Sequence, residues 1–118
     1  MQTAQEALDS LAIQMEHFTT DVFKIGHEKP GTFKQTEAQY KCCKLIREIR
    51  TSYAKLSRSV AAEERLFDPD VFLICSSAIA LVDLATEHGL IKTEGDRISA
   101  MSLDSAVHEL HESIYGGD

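Results

Sequence analysis

Apolar residues recur along this chain in four blocks with helical spacing. In the first, Ala4, Leu8, Leu11, Met15, Phe18, Val22 and Ile25 follow alternating steps of four and three, which places them on one narrow seam that packs lengthwise on another helix. Thr3 and Glu6 have the spacing of a capping box at its start, and Gly26 is the expected stop, followed by a loop at His27-Glu28-Lys29-Pro30-Gly31. The second block opens with the same capping logic at Thr36 and Gln39. Tyr40, Cys43, Ile46, Ile49, Tyr53, Leu56 and Val60 carry its stripe, and the helix is allowed to reach Leu66.

The third block starts where Asp68 is expected to cap free amides and Pro69 to occupy the first helical position. It ends at His88, where Gly89 suits a left-handed closure with Leu90 folding back, as in a Schellman motif. In the last block, Thr93 to Asp96 opens a turn, Ile98 and Met101 continue a stripe, and Ser102 with Ser105 offers a second start before Val107, Leu110 and Ile114. This helix is therefore allowed to be split in two, with Gly116-Gly117-Asp118 as a frayed tail. No segment reads as a strand. The expectation is an all-α, antiparallel four-helix bundle with up-and-down connections, formed by residues 1–118 as one domain.

The third block carries more apolar surface than that architecture needs. At 100° per residue its polar side chains, Ser76, Asp83 and Glu87, fall on a thin strip beside Ala80. One apolar face holds Leu73, Ile74, Leu81 and Leu84, the other holds Val71, Phe72, Cys75, Ile79 and Val82, and Ala78 and Ala85 lie between them. A bundle helix needs an apolar stripe somewhat wider than a third of its girth, and one apolar nearly all round is normally buried nearly all round. One face is surplus, to be covered either by the terminal segment or by a second chain across a two-fold axis. The second alternative makes Phe72, Cys75, Ile79 and Val82 the partner-binding residues of a homodimer.

Composition adds limits. The chain has 118 residues, 43% hydrophobic and 26% charged, an ordinary globular balance that excludes wholesale disorder. Three cysteines, Cys42, Cys43 and Cys75, lack CxxC spacing and sit in helical patterns, as in a reducing compartment. The start of the chain lacks the basic and apolar regions of a signal peptide, and the longest apolar stretch, 71–82, is too short to cross a bilayer about 30 Å thick. A soluble, cytoplasmic protein is expected.

Charge is distributed unevenly. Residues 36–60 contain Lys41, Lys44, Arg47, Arg50, Lys55 and Arg58 against Glu37 and Glu48, a net +4, whereas residues 61–118 carry net −9 and the whole chain −7. Basic residues supply non-specific affinity for nucleic acid. Here they lack aromatic interleaving and a recognition motif, and an acidic protein is repelled by a polyanion; nucleic acid is not the expected partner.

Catalytic and metal signatures are absent. Asp104, His108, His111 and Glu112 lie within helical reach of one another, but no second helix carries a matching ExxH or HxxxH to complete four ligands. Cys42 and Cys43 point about 100° apart and cannot chelate together, with Cys43 the expected core residue. Ser76 and Ser77 lack the strained turn of a nucleophile elbow, and no GxGxxG or GxxxxGK loop occurs. Catalytic residues, metal and cofactor are each read as none.

The layout Leu45-Ile46-Arg47-Glu48, then a helix ending Glu87-His88-Gly89-Leu90-Ile91, resembles the all-α MazG-type nucleoside triphosphate pyrophosphohydrolases over about half the chain. Such enzymes hold Mg²⁺ with an EExxE motif and a later ExxD. Glu48 matches the first acid, but Ile49 and Ser52 replace the other two, and Phe67 stands three before Asp70. The resemblance implies a degenerate nucleotide- or metal-binding bundle, the alternative to the main expectation: a non-enzymatic interaction module that self-associates and binds a protein as adaptor, inhibitor or regulatory subunit.

Overall fold

Three capping boxes set three of the four helix starts. In the computed structural model, which describes residues 3–25 and 36–116, α1 spans Ala4–Asp21 and α2 Glu37–Ala61, with α3 at Asp68–Glu87 and α4 at Glu94–Tyr115. The Thr3 hydroxyl accepts from the Glu6 N–H and the Glu6 carboxylate accepts from the Thr3 N–H; Thr36 with Gln39, and Thr93 with Asp96, repeat the arrangement. The third box makes residues 93–96 a helix start, and α4 then runs unbroken through Ser102 and Ser105. It is not split, because its buried side chains, Leu103, Ala106, Val107 and Leu110, form one continuous stripe.

Helix ends depart further from expectation. α1 stops at Asp21, and the chain turns through Lys24 at φ 62° so that the Phe23 ring meets Phe18 edge-on at 5.8 Å. Gly26 and the loop expected at 27–31 lie outside the described residues, as do Gly117 and Asp118 of the expected tail. α2 ends at Ala61, five residues before Leu66: Glu63 takes a left-handed φ of 57°, the Glu64 N–H reaches the Ser59 carbonyl at 2.9 Å and the Glu63 N–H reaches Val60 at 3.1 Å. That is a Schellman closure without glycine. Gly89 makes the expected one at φ 67°, with the Leu90 N–H donating to the Ala85 carbonyl at 2.8 Å.

Asp68 does not cap α3. Phe67 is the residue at the cap position, and Asp68 lies inside the first turn. Its carboxylate instead accepts from the Tyr115 hydroxyl at 2.6 Å, tying the end of α4 to the start of α3.

The helices form an antiparallel bundle in which α1 packs most extensively on α4 and α2 on α3, with thinner contact between α3 and α4 and between α1 and α2. The core comprises Leu8, Leu11 and Phe18 from α1, Cys42, Ile49 and Leu56 from α2, Ile74 and Leu81 from α3, and Leu103 and Leu110 from α4, together with smaller neighbours. Cys42, not Cys43, is the core cysteine of α2; burial pushes its thiol up to about 12, with Cys43 beside it adding to the shift. Tyr40, placed on the α2 stripe by spacing alone, is exposed. With a 20-residue length and a mean hydropathy of 1.6, α3 meets the length and composition of a bilayer span, which the 12-residue stretch read from sequence did not. Here its inner face is bundle core.

Candidate protein-interaction face

α3 buries Val71, Ile74, Ser77, Ala78, Leu81, Leu84 and Ala85. The inner face thus takes Val71 from one expected apolar group and Ile74, Leu81 and Leu84 from the other, while Leu73 turns outward. The remaining surface retains the expected surplus. Phe72 is 74% exposed and Ile79 is 44% exposed, with Cys75 and Val82 half-buried beside them. Ser76, Ala80, Asp83 and Glu87 form the polar or small-residue strip next to this seam, as expected. Burial also raises the Cys75 thiol above its ordinary range.

α4 covers only one edge of the seam. Between α3 and α4 runs a groove of about 270 Å³ walled by Ile79, Val82 and Asp83 on one side and by Ala100, Met101 and Asp104 on the other, with Leu103 and Val107 at its base. Met101 is 68% exposed at its lip. Met101 was legible as an apolar stripe position, but its place off the Leu103, Ala106, Val107 and Leu110 face is what makes it part of this surface. The terminal helix therefore leaves Phe72 and Ile79 uncovered, and the four residues singled out on α3 share one continuous surface with Met101.

Of the other sequence candidates, Asp104 walls this groove, whereas His108, His111 and Glu48 do not line it. His108 lies 3.5 Å from Asp104 through Nε2, whereas His111 stacks on Tyr115 with ring centroids 4.9 Å apart. Among the described residues no three His, Cys, Asp or Glu side chains converge on a metal position. Glu48 accepts from the buried Ser77 hydroxyl at 3.4 Å, and opens on a shallow groove shared with Lys41, Lys44, Asp83 and Glu87. Ile49 and Ser52, which replace the second and third acids of the pyrophosphohydrolase motif, are both buried in the core. The basic side of α2 faces outward. Lys41 pairs with Glu37 at 3.1 Å and Lys44 lies 5.8 Å above the Tyr40 ring, while Arg47, Arg50, Lys55 and Arg58 make no ion pair among the described residues.

The α3 face combines apolar side chains, small residues and an acidic rim. Comparison with protein-family models, curated proteins and solved structures finds no match to this chain.

Proposed function

We propose that this protein is a soluble, cytoplasmic, non-enzymatic interaction module that pairs with a second copy of itself through the α3 face and works as an adaptor, inhibitor or regulatory subunit of a protein partner. The observation that carries the reading is the exposed seam of Phe72 and Ile79 beside the α3–α4 groove. It combines a projecting ring and an apolar recess on one surface.

Self-pairing requires a surface complementary to itself under a two-fold rotation. Phe72 and Val82 are separated by about 15 Å along the helix, given a rise of about 1.5 Å per residue. Laying α3 antiparallel on its partner's α3, with the axis near Ser76 and Ser77, brings each Phe72 over the other copy's groove. Small side chains at Ser76 and Ala80 let the two backbones approach, and the acidic positions Asp83 and Glu87 of the two copies are kept apart. A parallel pairing would instead set each acid against itself.

Absolute mass by light scattering on a sizing column, across a hundredfold range of concentration, tests this reading. A dimer at twice 13.1 kDa is expected, dissociating on dilution. A strict monomer throughout the range would remove the second copy as the occupant of the α3 face.

A further inference from the structure

α1 and α2 enclose a second recess, independent of the α3 face. The two helices are tied at both ends by polar bonds. At one end the Tyr53 hydroxyl donates to Asp9 at 2.7 Å and Gln5 Nε2 donates to Ser57 Oγ at 3.4 Å; at the other, Gln39 Nε2 donates to the Phe23 carbonyl at 2.9 Å. Between the ties the helices part around a cavity of about 440 Å³. Leu11 and Met15 wall it on α1, Ile46 and Ile49 wall it on α2, and Ile74 reaches in from α3. Interiors are normally packed to the density of organic crystals. A recess of this size, held open by bonds on either side, falls in the range of small-ligand sites, which pair apolar walls with a few polar groups that fix orientation.

Those polar groups are present at its mouth. Glu16 on α1 and Arg50 on α2 both line the cavity and are exposed, and neither makes an ion pair among the described residues. A ligand head with a single charge gains from one lip and is repelled by the other. A head with both charges is complementary to both.

We propose that the α1–α2 cleft binds a small zwitterion with an apolar body, of the chemical class of an apolar amino acid. The body lies against the half-buried Ala12, Ile25 and Tyr53, over a floor formed by Met15 and Ile46, the ammonium faces Glu16 and the carboxylate faces Arg50. The ligand displaces water that apolar walls hold poorly.

The test uses the full chain, with isoleucine methyl NMR and calorimetry. L-phenylalanine is compared with phenethylamine and 3-phenylpropionate, which share its body but carry one charge each. Saturable binding of L-phenylalanine is expected, with shifts at the Ile46, Ile49 and Ile74 methyls. Loss of either ligand charge should weaken binding about fivefold, the size of an exposed ion pair. Arg50→Glu, at an exposed position that leaves the fold intact, should weaken L-phenylalanine by at least as much, and Ile46→Trp should abolish the methyl shifts by filling the recess. The proposal is overturned if L-phenylalanine shows no saturation up to about 10 mM, if the three compounds bind equally, or if Arg50→Glu leaves its affinity unchanged.

Discussion

Phe72→Asp separates assembly from folding. Phe72 stands 74% exposed on α3, so its replacement removes little from the core of the single chain; surface changes of this kind stay within about 0.5 kcal/mol. A phenylalanine side chain buries about 200 Å² when fully covered, so about 150 Å² remains available for an interface, equivalent to about 3.8 kcal/mol at about 25 cal/mol per Å². A two-fold interface loses this twice, about 7.5 kcal/mol, and the introduced carboxylate adds a desolvation cost. If only half of that area is covered in the dimer, the dissociation constant still rises about 500-fold. Light scattering reads the mass, and far-UV circular dichroism reads the helix content that should remain. Ile79→Asp, at 44% exposure, should act in the same direction more weakly. Unchanged mass profiles for both variants of a dimeric protein would refute the assignment of this face, and loss of helicity in both would show that the residues serve the fold.

Three other perturbations probe separate parts of the structure. Glu63 closes α2 at a left-handed φ of 57° on an exposed turn, so Glu63→Gly should stabilise the protein by about 1 kcal/mol and raise Tm by about 4 °C; a neutral or negative shift in a thermal melt would contradict the closure described. Asp96 accepts from the Lys92 and Thr93 N–H groups at 3.0 and 3.1 Å, bonds that hold its carboxyl below the ordinary aspartate range. Its stabilisation is therefore complete above the ordinary value and is lost as pH falls through the lowered one. Asp96→Ala should cost about 1 kcal/mol at neutral pH, with the gap from the parent closing in acid, measured by urea melts at several pH values. The Cys42 thiol, pushed up to about 12 by burial, should resist disulfide exchange at pH 8 until the chain unfolds, whereas Cys75 on the α3 seam should be labelled more slowly as protein concentration rises. Labelling of Cys42 in the native state would mean that the core opens locally.

The signals that proved legible in the sequence were those made by near neighbours. Thr3 with Glu6, Thr36 with Gln39, and Gly89 with Leu90 act within a few residues, and each does in the structure what its spacing implies. The surplus on α3 was legible for the same reason, since counting residues around one helix needs no partner. Distant contacts were not. Asp68 had the letter and position of a cap, but a tyrosine 47 residues away takes its carboxylate. The expected α2 stripe held at Ile46, Ile49 and Leu56 but missed at the helix's N-terminal end, where the core selects Ala38 and Cys42 in place of Tyr40 and Cys43; only packing against α1 and α3 distinguishes them. Glu63 gave no stop signal because glutamate rarely adopts the conformation it has here. The α1–α2 cleft had no signature at all, being walled by residues that on paper belong to an ordinary core.

The uneven pairing of the helices bears on the order in which the chain assembles. α2 and α3, the most extensively packed sequential pair, are joined by the short turn at 62–67 and meet at little cost in loop closure. α1 and α4 pack as extensively but sit at opposite ends of the sequence, so their union encloses nearly the whole chain. Fast local steps thus favour an α2–α3 hairpin as the early unit, with α1 and α4 closing over it last. Until that closure, Ile74, Leu81 and the outer seam of α3 are open to water together, and the surface we propose for partner binding in the folded protein is, during folding, part of the most aggregation-prone face of the intermediate.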